Sequence, residues 1–150
     1  MQRRALLTHA ATLAAAGLQV LHSPLVRATP AALQAALLAF TGGAPLRDGR
    51  VELTISPLVE NGNAVPVSLR VDSAMTASDH VRRLALFTER NPQAEVAVFQ
   101  LSLASGRAQV DTRIRMATSQ AVVAVAELQD GSFWQQRVEV LVTLAACVEG

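Results

Sequence analysis

The chain has 150 residues, enough for one domain with a substantial core, and 51% of them are hydrophobic, which excludes a disordered polymer. Its 13 basic residues are all arginine and face 12 acids, so the formal charge of +1 is close to balance. Aromatics make up 3%, with no tyrosine, so a core has to be built mainly from Val, Leu, Ile and Ala.

Residues 1–28 read as an export leader. Met1-Gln2-Arg3-Arg4 is a short basic start, and Ala5 to Leu21 is apolar and rich in alanine. Val26-Arg27-Ala28 places small residues where a signal peptidase reads, and Arg3-Arg4 suggests the twin-arginine route. An uncleaved anchor is the alternative, but Thr8, His9, Thr12, Gln19 and His22 dilute the run. Removing Arg3, Arg4 and Arg27 leaves 10 arginines against 12 acids, a balance of −2. That balance argues against nucleic acid as the main partner.

Residues 29–44 predict a short helix and a linker. Thr29 is a hydroxyl N-cap and Pro30 suits the first helical position. Leu33, Leu37 and Phe40 share one face, and Gly42-Gly43 ends the element. Such a helix needs another surface to lie on.

From 45 to 144 the period changes to two. Val51–Ile55, Val65–Val71, Val110–Met116 and Val138–Leu144 alternate apolar with polar and predict half-buried strands. Val81–Glu89, Glu95–Leu101 and Ala121–Leu128 are apolar on both sides and suit interior or partner-covered strands. Leu84, Ala85, Leu86 and Phe87 crowd both faces of one strand, which points to a dimer surface. Turn signals fall between the runs at Asn61-Gly62-Asn63, Asn91-Pro92, Ser105-Gly106 and Asp130-Gly131. Seven short strands at this spacing predict an all-β, immunoglobulin-like sandwich of antiparallel strands. Trp134 is expected to pack at a strand start.

Residues 145–150 follow the last strand as a short arm, and Cys147 within it is the only cysteine. Exported proteins ordinarily pair their cysteines, so a leftover thiol is a reactive or carrier group, half of an intermolecular disulfide, or inert. A chain end is poor for core packing and good for presenting a sulfur atom.

From Val51 onward the order of features resembles the SoxY family of sulfur-oxidation carrier subunits. The stretches that carry the resemblance are Glu60-Asn61-Gly62-Asn63-Ala64-Val65-Pro66-Val67, Phe87-Thr88-Glu89-Arg90-Asn91-Pro92, Thr112-Arg113-Ile114-Arg115-Met116-Ala117 and Val123-Ala124-Val125-Ala126-Glu127. The resemblance implies an immunoglobulin-like fold and a heterodimer with the related subunit SoxZ. It also implies a periplasmic location and covalent attachment of thiosulfate-derived sulfur to Cys147. The adducts would be attached, oxidised and hydrolysed by separate enzymes, SoxXA, SoxCD and SoxB, so the chain itself is a substrate handle and not an enzyme. No cofactor and no resident metal are implied.

The family arm has a Gly-Gly-Cys-Gly-Gly ending, whereas this arm reads Ala145-Ala146-Cys147-Val148-Glu149-Gly150. Alanines keep the arm slim but remove glycine's access to unusual backbone angles. Val148 adds bulk beside the thiol. Glu149 and the terminal carboxylate bring negative charge that disfavours a thiolate and raises the Cys147 pKa. A diverged paralogue, an immunoglobulin-like binding or structural module, and a periplasmic copper protein are the alternatives. For the last, Met75, His80 and Met116 would join Cys147, at spacings that fit no metal motif. Glu60-Asn61-Gly62-Asn63 is either a recognition loop or a plain turn. Arg113 and Arg115 either attract an anion or lie on a solvated strand face.

Overall fold

The computed structural model describes residues 28–146. The leader up to Arg27, together with Cys147, Val148, Glu149 and Gly150 of the arm, lies outside the described residues. Among the described residues, no helix is long and apolar enough to cross a membrane.

Among the described residues one α-helix, α1 (Pro30–Thr41), precedes nine strands. These are β1 (Leu46–Asp48), β2 (Val51–Thr54), β3 (Leu58–Asn61), β4 (Val65–Val71), β5 (Val81–Thr88), β6 (Glu95–Gln100), β7 (Gln109–Ile114), β8 (Gln120–Leu128) and β9 (Phe133–Leu144). They form two sheets. The larger has the order β1-β9-β8-β5-β6, with β3 also on β9; the smaller is β2-β4-β7. The seven strands expected from periodicity are all present, and the sandwich is immunoglobulin-like. Two short strands, β1 and β3, add to them, and both pair with β9 in parallel.

The two sheets enclose an apolar core of Val, Leu, Ile and Ala with Met75 and Met116. In β4, Val65, Val67, Leu69 and Val71 face inward while Pro66 and Arg70 face water, as the alternation requires. The sheets are also tied by a hydrogen bond. The Leu53 N–H, on the side of β2 that faces away from β4, donates to Gln136 Oε1 of β9 at 2.5 Å.

The helix forms as its sequence dictates. The Thr29 hydroxyl accepts from the Ala32 N–H at 3.2 Å, and Gly42 closes the element at φ 62°. Leu33, Leu37 and Phe40 bury against Ala85, Phe87, Val123, Val125 and Phe133 on the outer face of the large sheet. Phe40 meets Phe87 and Phe133 edge-on, at ring-centre distances of 5.6 and 6.0 Å. The Arg83 guanidinium lies 4.3 Å above the Phe40 ring, donates to the Phe40 carbonyl and pairs with Glu127.

This packing corrects two expectations. The second apolar face of β5 is no open dimer surface, because α1 covers it and leaves Ala85 and Phe87 fully buried. The run Glu95–Leu101 is not interior: β6 is an edge strand, half exposed along its length, which leaves the partner-covered alternative for that run. The run Ala121–Leu128 is interior, since β8 lies at the centre of the large sheet with the core on one face and α1 on the other. Trp134 does pack at a strand start. It sits one residue into β9 against the core, with Arg47 and Arg50 over its ring.

Candidate functional site

Strand directions place one set of connections at one rim of the sandwich. β3, β5, β7 and β9 all end there, and β4 and β8 begin there, as the register pairs Val65 with Ile114, Thr88 with Val122 and Gln120 with Val140. The arm therefore leaves the body where the turns after β3, β5 and β7 meet.

The last residues of β9 extend beyond their ladder with β8 and need other partners. The Val142 N–H donates to Ser119 Oγ at 2.8 Å. On the opposite side β9 pairs with β3, in the register Leu58 to Leu141, Val59 to Val142 and Asn61 to Leu144. Thr143 Oγ1 donates to the Glu60 carbonyl at 3.1 Å.

Past the strand end, three backbone segments interlock. The Gly62 N–H donates to the Leu144 carbonyl at 2.8 Å, the Met116 N–H to the Gly62 carbonyl at 2.8 Å, and the Ala146 N–H to the Met116 carbonyl at 3.0 Å. Gly62 is buried in this junction. A Cβ on it would stand 2.4 Å from the Met116 oxygen, 2.9 Å from the Ala146 nitrogen and 3.3 Å from the Leu144 oxygen. All three are backbone atoms, so no side-chain rotation relieves the overlap.

The segment that supplies the Met116 carbonyl is bracketed by Asn91. Its Nδ2 donates to the Arg115 carbonyl at 2.8 Å, and its Oδ1 accepts from the Ala117 N–H at 3.0 Å and from Gln120 Nε2 at 2.8 Å. Gln120, itself buried, accepts from the Arg90 N–H. Met116 fixes the same segment from within, its side chain fully buried in the core. Ala28, the last residue assigned to the leader, also reaches this rim and donates its N–H to the Asn91 carbonyl at 2.9 Å.

Of the expected site residues, Ala145 is exposed and Ala146 is 6% exposed with its N–H engaged. The arm is thus held to the body up to the residue before Cys147. Arg113 lies on the open face of the small sheet, across from Pro66, and Arg115 is exposed in the rim turn just beyond β7. Met75 and His80 lie in the connection between β4 and β5 at the far rim, whereas Met116 is at the arm rim. The seven residues of β4 separate them by on the order of 20 Å, so the set considered for copper is not brought together. Among the described residues no group of three or more His, Cys, Asp or Glu side chains is placed to hold a metal ion.

Gly62, Asn91 and Ser119 emerge from the structure alone as holders of the arm. Asn61-Gly62-Asn63 and Asn91-Pro92 are visible in the sequence only as turns. Their common destination is not, because it depends on contacts between residues up to 84 apart in the chain.

A solved structure with a similar fold is the sulfur carrier protein SoxY from Chlorobium limicola f thiosulfatophilum. It shares 25% identity, covers 76% of this chain and 98% of its own, and has a TM-score of 0.64. Superoxide reductases share the fold at lower identity. The neelaredoxin from Ignicoccus hospitalis is 13% identical, with a TM-score of 0.57 over 79% of this chain and 95% of its own. The enzyme from Nanoarchaeum equitans is 10% identical, with a TM-score of 0.53 over 64% and 100%. Among curated proteins, no sequence matches. The family described as sulfur oxidation protein SoxY matches residues 37–147, a span that begins in α1, takes in both sheets and the interlocked rim, and ends on the cysteine: the chain belongs to the SoxY family.

Proposed function

We propose that the protein is a covalent carrier of thiosulfate-derived sulfur intermediates, held on Cys147 and presented to separate sulfur-oxidising enzymes. The observation that carries this reading is the family match, which ends on the only cysteine of the chain, one residue beyond the anchored Ala146. A thiol one residue beyond an anchored backbone suits a handle on which other proteins work. The basic start, apolar run and Ala28 site of residues 1–28 support export to the periplasm, with Arg3-Arg4 favouring the twin-arginine route. In this reading the chain performs no catalysis. Family membership supports a SoxZ-like subunit as heterodimer partner, with SoxXA, SoxB and SoxCD as the enzymes that attach, hydrolyse and oxidise the adduct.

Mass spectrometry of the protein from thiosulfate-oxidising cells tests the proposal. Cys147 is expected to carry added sulfur or thiosulfonate mass, and Cys147→Ser is expected to lose both the adduct and carrier activity. A normal thiosulfate oxidation rate in the Cys147→Ser strain would falsify the proposal.

A further inference from the structure

We infer that Gly62 is a positioning residue for the carrier arm. Backed by the Asn91-bracketed carbonyl of Met116, it seats Ala146 on the sandwich rim and so fixes the backbone up to the residue before the cysteine. This inference rests on the carrier reading for its purpose and on the rim geometry for its content.

The hydrogen bonds are closed on one another. Gly62 donates to Leu144, Met116 donates to Gly62, and Ala146 donates to Met116. Removing any one segment leaves the other two with an unpaired backbone group. The φ of Gly62 lies outside the left-handed region, so glycine is needed there for space and not for conformation. Residue 62 is therefore the point where a single methyl group breaks the seat. Three of the four stretches that carry the family resemblance meet here, through Gly62, Asn91 and Met116. What they converge on is the root of the arm.

The alanine of the arm fits the same arrangement. The Ala146 side chain is packed into the rim, with only 6% of the residue exposed. Glycine at this position has no methyl to bury and has more freedom to lose, so Ala146 holds the root more firmly than the glycine of the family arm would. The seat does not wall off the neighbouring residues, since Ala145 and Leu144 remain exposed. It fixes the origin from which the thiol is displayed.

The test uses the full chain, with amide exchange at Ala146 and a nitroxide spin label on Cys147. In the wild-type protein the Ala146 amide is expected to be protected. Gly62→Ala should accelerate its exchange by at least about tenfold and narrow the spin-label spectrum, while amides of β8 such as Ala124 are unchanged. Ala146→Gly, which introduces no overlap, should accelerate exchange at residue 146 by about two- to fivefold and narrow the spectrum in the same direction. It keeps the test open if Gly62→Ala fails to fold. A general loss of stability would speed exchange in β8 as well, so localisation separates positioning from mere structural support. Exchange at Ala146 as fast as in a free peptide overturns the inference. So does an unchanged spin-label spectrum in both variants. A seated Ala146 on a protein that never acquires sulfur would sink the carrier reading and leave the seat standing; sulfur on Cys147 with a freely exchanging Ala146 would do the reverse.

Discussion

Phe40→Ala tests whether α1 is an integral layer of the domain or a detachable cover. Phe40 is 6% exposed and touches two rings edge-on, with the Arg83 guanidinium over its face. Phe-to-Ala changes in cores cost about 3–5 kcal/mol. The ring pairs contribute about 0.5–1.5 kcal/mol each and the cation over the face about 0.5–2 kcal/mol, which places this site in the upper half of that range. The expected loss is about 4 kcal/mol, or a fall of about 2 M in the urea midpoint for a slope near 2 kcal/mol/M. Trp134, the only tryptophan, reports the sandwich, and amide exchange over Leu33–Phe40 reports the helix. If α1 detaches first, exchange in the helix rises while the fluorescence midpoint moves little, and the loss is capped at the free energy of docking. A fluorescence shift under about 1 kcal/mol together with unchanged helix exchange would refute the reasoning, because Phe40 would then anchor nothing.

Two further outcomes follow from polar contacts of the body. Gln136→Ala should lower stability by about 1–3 kcal/mol in a denaturant melt, since it leaves the buried Leu53 N–H without its partner. Asp79 accepts from Arg50 Nη2 and from the Ala74 N–H, and these bonds, the Arg50 one foremost, hold its carboxyl below the usual carboxylate range. A group whose pKa is depressed by folding stabilises the folded state above its unfolded pKa and loses that contribution as pH falls through the folded value. The stability difference between wild type and Asp79→Asn should therefore be complete above about pH 5 and shrink through pH 4 and below. A difference that grows on acidification contradicts the assignment. Arg50, whose φ is 55°, also donates from Nε to the Asp72 carbonyl at 2.9 Å.

Most of the sandwich was legible because half-buried strands write their environment into every second residue, as in Val65–Val71. β1 and β3 were not, since three or four residues beside Pro45 or Pro57 are too few to show a period. The helix face of Leu33, Leu37 and Phe40 and the doubly apolar strand around Phe87 were both readable. Their meeting was not, and the uncovered strand was assigned to a partner that the chain supplies itself. Asn61-Gly62-Asn63 was readable as a turn. The requirement at Gly62 comes from three backbone atoms belonging to distant segments, which no local pattern encodes. Cys147 stood out by count alone, and the geometry that gives it meaning begins at the residue before it.

Because Ala28 and Ala146 both attach to the rim built around Asn91 and Met116, the described segment enters and leaves the body at the same corner. A tag or fused domain joined just before Ala28 would crowd the corner at which the chain leaves the sandwich. The turns at Gly106 and Gly131, which precede β7 and β9 at the opposite rim, are the places to attach a label or tether the protein to a surface. A linker bridging the two ends should allow the chain to be reopened at either of those turns with the sandwich intact.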